Sequence, residues 1–260
     1  MIETQIERYL HGFRAKTILD VGPGYVDYSR KAARITHAVT VTYLDVDSDV
    51  LEYQRKKSIA SGLTVRTISA PLSTEVVGSM DRGAYELIIC TEVLEHLNDA
   101  EEILAGLAQL LTPNGRILIT VPTGSSERWL KFLDPAYMKD EPYGHVREFD
   151  AADLKRILQH AELTPLVFHS NNPHYFVSQS WLVGMRVKVK GATGTVVANG
   201  WRVEIFRWLT SYSFKVFTMT GYRAYLLWAW LLPRNYFVIA ARTAPRALFT
   251  HNAKDLSEHN

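Results

Sequence analysis

The feature that most constrains the fold is a regular alternation in the first 125 residues. Short apolar runs that suit buried strands take turns with longer amphipathic stretches that suit helices. The strands are expected at Lys16–Val21, Ala38–Leu44, Leu63–Ile68, Tyr85–Cys90 and Arg116–Val121. Helices are expected at Tyr28–His37, at Asp49–Ser61 with Ser48 as N-cap, and at Asp99–Leu111, with Pro113-Asn114-Gly115 as a turn. Repeated β-α-β units demand a mostly parallel sheet with helices on both faces. The fold class is therefore α/β and Rossmann-like. Such a sheet binds ligands at the carboxyl ends of its strands, near the point where strand order reverses.

After Pro122 the pattern loosens. A helix is expected at Asp150–Ala161 and strands at Leu163–Phe168 and Tyr236–Ala241. Between these strands the alternation lapses into a hairpin over Arg186–Val197 and helices over Val203–Phe217 and Tyr222–Leu232. The division is thus a core over 1–170, an insert over 171–234, a last core strand over 235–243 and a polar tail over 244–260. The chain's length suits one core with an elaboration. Its single cysteine, Cys90, lies inside an apolar strand; it offers no disulfide and no nucleophile, and points to a reducing compartment. The charged N-terminal stretch lacks the apolar core of a signal peptide. The longest apolar run, Tyr225–Pro233, falls short of the ~20 residues a membrane span needs.

The chemistry begins at Ile18-Leu19-Asp20-Val21-Gly22-Pro23-Gly24, where a strand ends in an acid and runs into G-x-G. Glycine lets the backbone approach a ligand without a Cβ in the way. A dinucleotide site would place a third glycine at Asp27, whose charge repels a diphosphate. The acid ahead of the glycines instead suits an ammonium group. Asp45, 25 residues beyond Asp20, sits where a carboxylate accepts both hydroxyls of a ribose. A third segment, Tyr85–Leu97, carries a strand into Thr91-Glu92-Val93-Leu94-Glu95-His96-Leu97. Glu92, Glu95 and His96 stand at i, i+3 and i+4, a spacing that shares one helical face. With His145 they make a two-carboxylate, two-imidazole set suited to a divalent ion.

Together these motifs resemble class I S-adenosylmethionine (SAM)-dependent methyltransferases over about residues 15–170, with LLTPNGRILITVP at the fifth strand completing the set. The resemblance implies a seven-stranded sheet and SAM as cofactor. It implies that Gly22 and Gly24 line the methionine moiety, that Asp20 supports the loop and the ammonium, that Asp45 binds the ribose, and that Val46 packs on the adenine. Thr91 and Glu92 join the cofactor residues. Ser69 and Ala70 stand where the family usually has an acid near the adenine amine, so their contact would be through backbone or weaker. Val26 departs from a position that is often glycine. Glu92-x-x-Glu95-His96 with His145 looks like the set in ubiquinone-pathway O-methyltransferases and small-RNA 2′-O-methyltransferases, although V-L-E-H-L also occurs in metal-free members, where Glu95 and His96 brace the active-site loop. His145 is the best single candidate for base or substrate ligand, and Arg147 is either an anchor for an acidic substrate or simply solvated.

The expected activity is O-methylation of a small or lipid-like acceptor; the alternatives are an RNA or protein methyltransferase and a non-catalytic SAM-fold binding protein. The near-balanced charge of +2 does not call for nucleic acid. The insert, however, holds eight Lys or Arg against Glu204 alone, a charge of +7, and 13 of the 29 aromatic residues, including Trp181, Trp201, Trp208, Trp228 and Trp230. This mixture suits a membrane interface or a lipid-linked acceptor. It equally suits an acidic or polyprenyl-like substrate or stacking on nucleic-acid bases, and the plain alternative is the core of a lid or a homodimer patch. The expected location is cytoplasmic, with peripheral membrane contact through 171–234.

Overall fold

The computed structural model describes residues 2–135, 137, 144–184, 189–190, 195–196, 201–219 and 221–243. Five strands form in the parallel half: β1 (Thr17–Val21), β2 (Thr40–Asp45), β3 (Thr64–Ser69), β4 (Tyr85–Thr91) and β5 (Leu111–Pro122). Helices α1 (Ile2–Leu10), α2 (Tyr28–Thr36), α3 (Ser48–Ala60), α4 (Thr74–Gly78) and α5 (Ala100–Leu110) precede or link them. The chain continues through α6 (Gly124–Leu133), α7 (Ala151–His160), β6 (Leu163–Asn171) and α8 (Pro173–Gly184). A two-stranded hairpin, β7 (Val189–Lys190) with β8 (Thr195–Val196), is followed by α9 (Trp201–Met219), α10 (Gly221–Leu231) and β9 (Asn235–Arg242). The seven-stranded sheet has the order β3-β2-β1-β4-β5-β9-β6, with β9 antiparallel to both its neighbours and the other pairs parallel.

The apolar runs are continuous because successive side chains of a strand point to opposite faces and both faces here are covered. Leu19, Val21, Ile88, Cys90, Ile117 and Ile119 pack under α5 and α7, on Ile103, Leu104, Leu107, Leu154 and Ile157. Ile18, Val41, Leu87, Ile89, Leu118 and Phe237 face the other way, onto Ile6 and Leu10 of α1 and Ala32 and Ala33 of α2. Strand order reverses between β1 and β4, which fixes the ligand crevice at their carboxyl ends.

Several local expectations are corrected. Asp47, not Ser48, caps α3: its carboxylate accepts from the amides of Asp49 (2.8 Å) and Val50 (3.3 Å), and Ser48 is the first helical residue. Asp45 is the last residue of β2, not one beyond it. Pro113-Asn114-Gly115 lies within β5 as an excursion: Tyr85 pairs with Leu111 and Leu87 with Arg116, so β5 spends extra residues against one step of β4. Helices α1, α4, α6 and α8 were not anticipated. The tail over 244–260 and most of the hairpin over 186–197 lie outside the described residues.

The antiparallel strand also places the insert. β6 runs parallel to β5, so Asn171 ends at the same edge as Pro122, and β9 begins there with Asn235. The chain therefore leaves and rejoins the sheet at its carboxyl edge, and residues 172–234 start and finish beside the crevice.

Candidate functional site

The β1–α2 turn is built around glycines in left-handed backbone. Gly22 has φ +61° and Gly24 φ +53°, and a Cβ on Gly22 would stand 2.6 Å from Cγ2 of Val93. The Gly22 amide is tied to the Leu44 carbonyl at 2.9 Å, which draws the turn toward the end of β2. Asp20 is buried immediately before the turn, and its Oδ1 has no hydrogen-bond partner among the described residues. Burial raises its pKa to about 7, with the nearby Asp45 charge adding to the rise and the Ser29 hydroxyl and Arg30 opposing it. A buried acceptor without a partner is costly to the protein alone. A ligand ammonium would relieve that cost.

Asp45 is half-buried at the next strand end. One carboxylate oxygen accepts from the Asp47 amide at 2.9 Å, and burial raises its pKa. Val46 beside it is exposed, as an apolar surface awaiting a flat ring would be. Ser69 pairs with Asp45 at the end of β3, and the Ala70 amide donates to the Asp45 carbonyl at 3.1 Å. Asp20, Gly22, Gly24, Asp45, Val46, Ser69 and Ala70 thus gather at three adjacent strand ends on one side of the point where strand order reverses. The buried carboxyl with one unpaired oxygen, the turn whose glycines carry no side chain and the second carboxylate fit an adenosine bearing an amino-acid tail.

β4 supplies the other side. Thr91 is buried at its end, opposite Thr120. Glu92 follows with a positive φ of 55°, a backbone state uncommon for a residue with a Cβ and frequent at functional sites. Its carboxylate faces β5 and β9, accepting from Thr120 Oγ1 at 2.7 Å and from Asn235 Nδ2 at 2.8 and 2.7 Å. The anticipated shared helical face of Glu92, Glu95 and His96 does not form, because only Leu94–His96 is helical, as a single tight turn. Three of the four proposed metal ligands do meet: ligand atoms of Glu95, His96 and His145 lie within 4.8 Å of one another. Glu95 is fully buried, neither carboxyl oxygen has a hydrogen-bond partner among the described residues, and desolvation with the Glu92 charge pushes its pKa well up.

The segment carrying His145 is clasped to this turn. The amides of Val146 and Arg147 donate to the Glu95 carbonyl at 2.9 and 3.2 Å, and His96 Nδ1 lies 3.3 Å from the Gly144 carbonyl oxygen. The rings of His96 and His145 meet edge to face with centroids 5.0 Å apart. Arg147 donates to the Asn98 carbonyl at 3.0 Å and lies over the Phe149 ring, so its head serves the local fold. Cys90 sits in the core, where burial drives its thiol pKa up and keeps it inert.

Two partners of His145 escaped the sequence reading. Glu127 of α6 is 0% exposed and its Oε2 lies 2.7 Å from His145 Nδ1. Arg234, between the insert and β9, reaches Glu127 Oε1 with Nη1 at 3.0 Å. No sequence signal marks Glu127: it is the unexpected α6 that turns this acid inward, on the buried face it shares with Ser126 and Leu130.

In the insert, Trp208 (59%), Tyr212 and Trp230 (71%) are exposed, whereas Trp181 and Trp228 are partly buried, Trp228 against Tyr225 and Ala229. The Trp201 side chain lies outside the described residues. Among the described residues no helix is long and apolar enough to cross a membrane.

A profile of the methyltransferase-domain family matches residues 2–166. The chain is 30% identical over 190 residues to the ubiquinone biosynthesis O-methyltransferase of Pasteurella multocida, across 68% of this chain and 77% of that one. To the protein of the same name from Pectobacterium atrosepticum it is 27% identical over 160 residues, or 61% of this chain; it spans about three-fifths (62%) of that relative's length. Among solved structures it is similar to a Burkholderia thailandensis 1,6-didemethyltoxoflavin-N1-methyltransferase with bound S-adenosylhomocysteine. The TM-score is 0.52 at 16% identity, over 93% of this chain and 78% of that one, which is a likeness of fold.

Proposed function

This chain belongs to the class I SAM-dependent methyltransferase family, and from that premise we propose that it methylates an oxygen atom of a small or lipid-like acceptor. The observation that carries the cofactor is the buried Asp20 carboxyl, whose Oδ1 has no partner among the described residues, beside a turn that only glycine fits. When bound, SAM would supply an activated methyl on a sulfonium centre. Asp20 would hold the ammonium and Asp45 the ribose, while Val46 would lie against the adenine. Positioning then contributes much of the rate, because the reacting atoms need only be held in line.

A hydroxyl acceptor must also lose its proton. His145, at the β4 edge of the crevice with one ring nitrogen committed to Glu127, is the group placed to take it. Oxygen as the methylated atom is further supported by the relatives, which are O-methyltransferases of ubiquinone biosynthesis. Glu95, His96 and His145 also suit a divalent ion as a three-donor set. Glu92 would not join it, being held by Thr120 and Asn235. The exposed aromatic stripe of the insert supports an acceptor drawn from a membrane surface, reached from the cytoplasmic side.

The test is incubation of the protein with methyl-labelled SAM and a fractionated lysate. Label should enter the small-molecule or lipid fraction; label confined to RNA or protein would overturn the acceptor, and label in no fraction would overturn catalysis. His145→Ala should then cut turnover ~100-fold or more with SAM affinity intact. Turnover that survives exhaustive chelation leaves Glu95 and His96 as braces of the loop.

A further inference from the structure

His145 is held by a chain of buried groups whose hydrogen-bond directions are forced. Its side chain is 8% exposed and that of Glu127 1%. Glu127 divides its carboxylate between two partners, with Oε1 on Arg234 Nη1 at 3.0 Å and Oε2 on His145 Nδ1 at 2.7 Å. The Arg234 side chain is 6% exposed, and it is itself fixed by Ser126 Oγ at 3.2 Å and by Gln179 of α8. Its backbone is anchored too, with its carbonyl accepting from the Thr123 amide and the Ser126 hydroxyl, both at 3.0 Å.

Guanidinium only donates, so the Glu127 oxygen facing Arg234 must accept. A carboxylate only accepts, so the His145 nitrogen facing it must carry the hydrogen. The lone pair of a neutral His145 is then left on Nε2. We propose that Glu127 is a positioning residue that fixes His145 in the Nδ1–H tautomer and so presents Nε2 as the base, and that Arg234 fixes which way Glu127 faces. Arg234 stands where the insert rejoins the sheet and is gripped by Gln179 where the insert begins. The element that starts and finishes beside the crevice is therefore wired to the orientation of the base.

The arrangement makes Glu127→Gln unusually informative. Arg234 would retain the amide oxygen, because it has no acceptor to offer the NH2 group. That NH2 group would then face His145 Nδ1 and donate to it. The tautomer inverts: Nε2 gains the hydrogen and can no longer take one. A Glu127 that served only as counter-ion to Arg234 would leave the tautomer of His145 unaffected by this exchange.

The kinetic consequence rests on His145 being the base proposed above; the spectroscopic one does not. The experiment is a long-range ¹H–¹⁵N histidine spectrum of the full-length, chelator-treated protein at alkaline pH, with His145→Ala to assign the signals. Wild type should show Nδ1 protonated and Nε2 bare, and Glu127→Gln the reverse. In the same variant, methyl transfer to the labelled fraction should fall ~10²–10⁴-fold, and S-adenosylhomocysteine affinity should not change. Wild-type protein with hydrogen on Nε2, or a Glu127→Gln tautomer like wild type, overturns the proposal. If the variant does not fold, the wild-type spectrum alone decides. An inverted tautomer with undiminished turnover upholds the positioning role and removes His145 as the base.

Discussion

Burial lifts the Asp20 carboxyl to about 7 from an ordinary value of 3.8, and this sets how the cofactor site should respond to pH. Between about 4 and 7 the folded, ligand-free protein keeps a proton on Asp20 that the unfolded chain has released. Its stability from this group therefore declines as pH rises through that window, then levels off. A ligand ammonium prefers the ionised carboxylate, so binding in the same window expels the proton. SAM affinity should rise with pH toward 7, by up to about tenfold per unit. Calorimetry at about pH 6 in buffers of differing ionisation heat should show proton release, and Asp20→Asn should abolish it. Affinity flat from about pH 5 to 7 would place the ammonium elsewhere. Asp45 acts on the same group, since its charge helps raise Asp20. Asp45→Ala should forfeit ribose hydrogen bonds worth ~1.5–3 kcal/mol each, and should also move the proton-release midpoint down. Undiminished affinity in that variant would remove Asp45 from the ribose.

Among the elements, the β1–α2 turn carries the sharpest steric requirement. Gly22→Ala meets a positive φ and a valine methyl 2.6 Å away, on a stiff β-branched side chain that packs against the core. The backbone strain alone costs ~1–2 kcal/mol. The variant should melt lower and lose SAM binding; wild-type melting and affinity together would mean the turn had room to spare. This turn was legible in the sequence because one acid and two glycines at fixed spacing leave few conformations. The strands β1, β2, β4 and β5 were legible for a similar reason, since burial on both faces favours apolar runs, whereas the edge strand β3 is mostly exposed and alternates polar with apolar residues. The surroundings of His145 were not. Glu127 and Arg234 are charged residues, which by type alone belong in solvent, and in the sequence Arg234 is only one of the insert's eight cations. Only the fold shows that α6, with Leu130 as its fully buried apolar residue, turns Glu127 inward to meet it. Glu92 was likewise assigned to the cofactor and the metal set, whereas Thr120 and Asn235, distant in sequence, engage its carboxylate.

At the scale of the whole molecule, charge and apolar surface are distributed unevenly, and the sheet topology decides where the imbalance falls. The insert is +7 and the rest of the chain −5, so the near-neutral total hides an uneven distribution along the sequence. Arg234 is spent on Glu127 and Arg207 pairs with Glu204 at 2.7 Å, but Arg207, Lys215 and Arg223 stay exposed. They flank an apolar stripe. Trp208, Tyr212, Val216 and Met219 recur at i, i+4, i+8 and i+11 along α9, all exposed, with Met219 at 85% and the Trp208 and Tyr212 rings stacked 5.1 Å apart. Leu227, Trp230 and Leu231 continue the exposed surface on α10. Apolar residues on one helical face beside cations suit the interface of an anionic bilayer. Because the insert leaves and rejoins the sheet at its carboxyl edge, a bilayer held there would lie beside the crevice, where a lipid-borne acceptor would be wanted. Each cation near such a surface contributes ~1 kcal/mol, enough in combination with the stripe for reversible attachment. The protein should co-sediment with anionic vesicles at low salt and not with neutral ones, and ~1 M salt should release it as the Debye length falls to ~3 Å. Trp208→Ala with Trp230→Ala should weaken attachment without altering SAM affinity, since both side chains are mostly exposed. Absence of binding to anionic vesicles at low salt would defeat the membrane reading. If that result came with a sedimentation-equilibrium mass of twice the chain, and with tryptophan shielded from soluble quenchers, the stripe would be the seam between two copies.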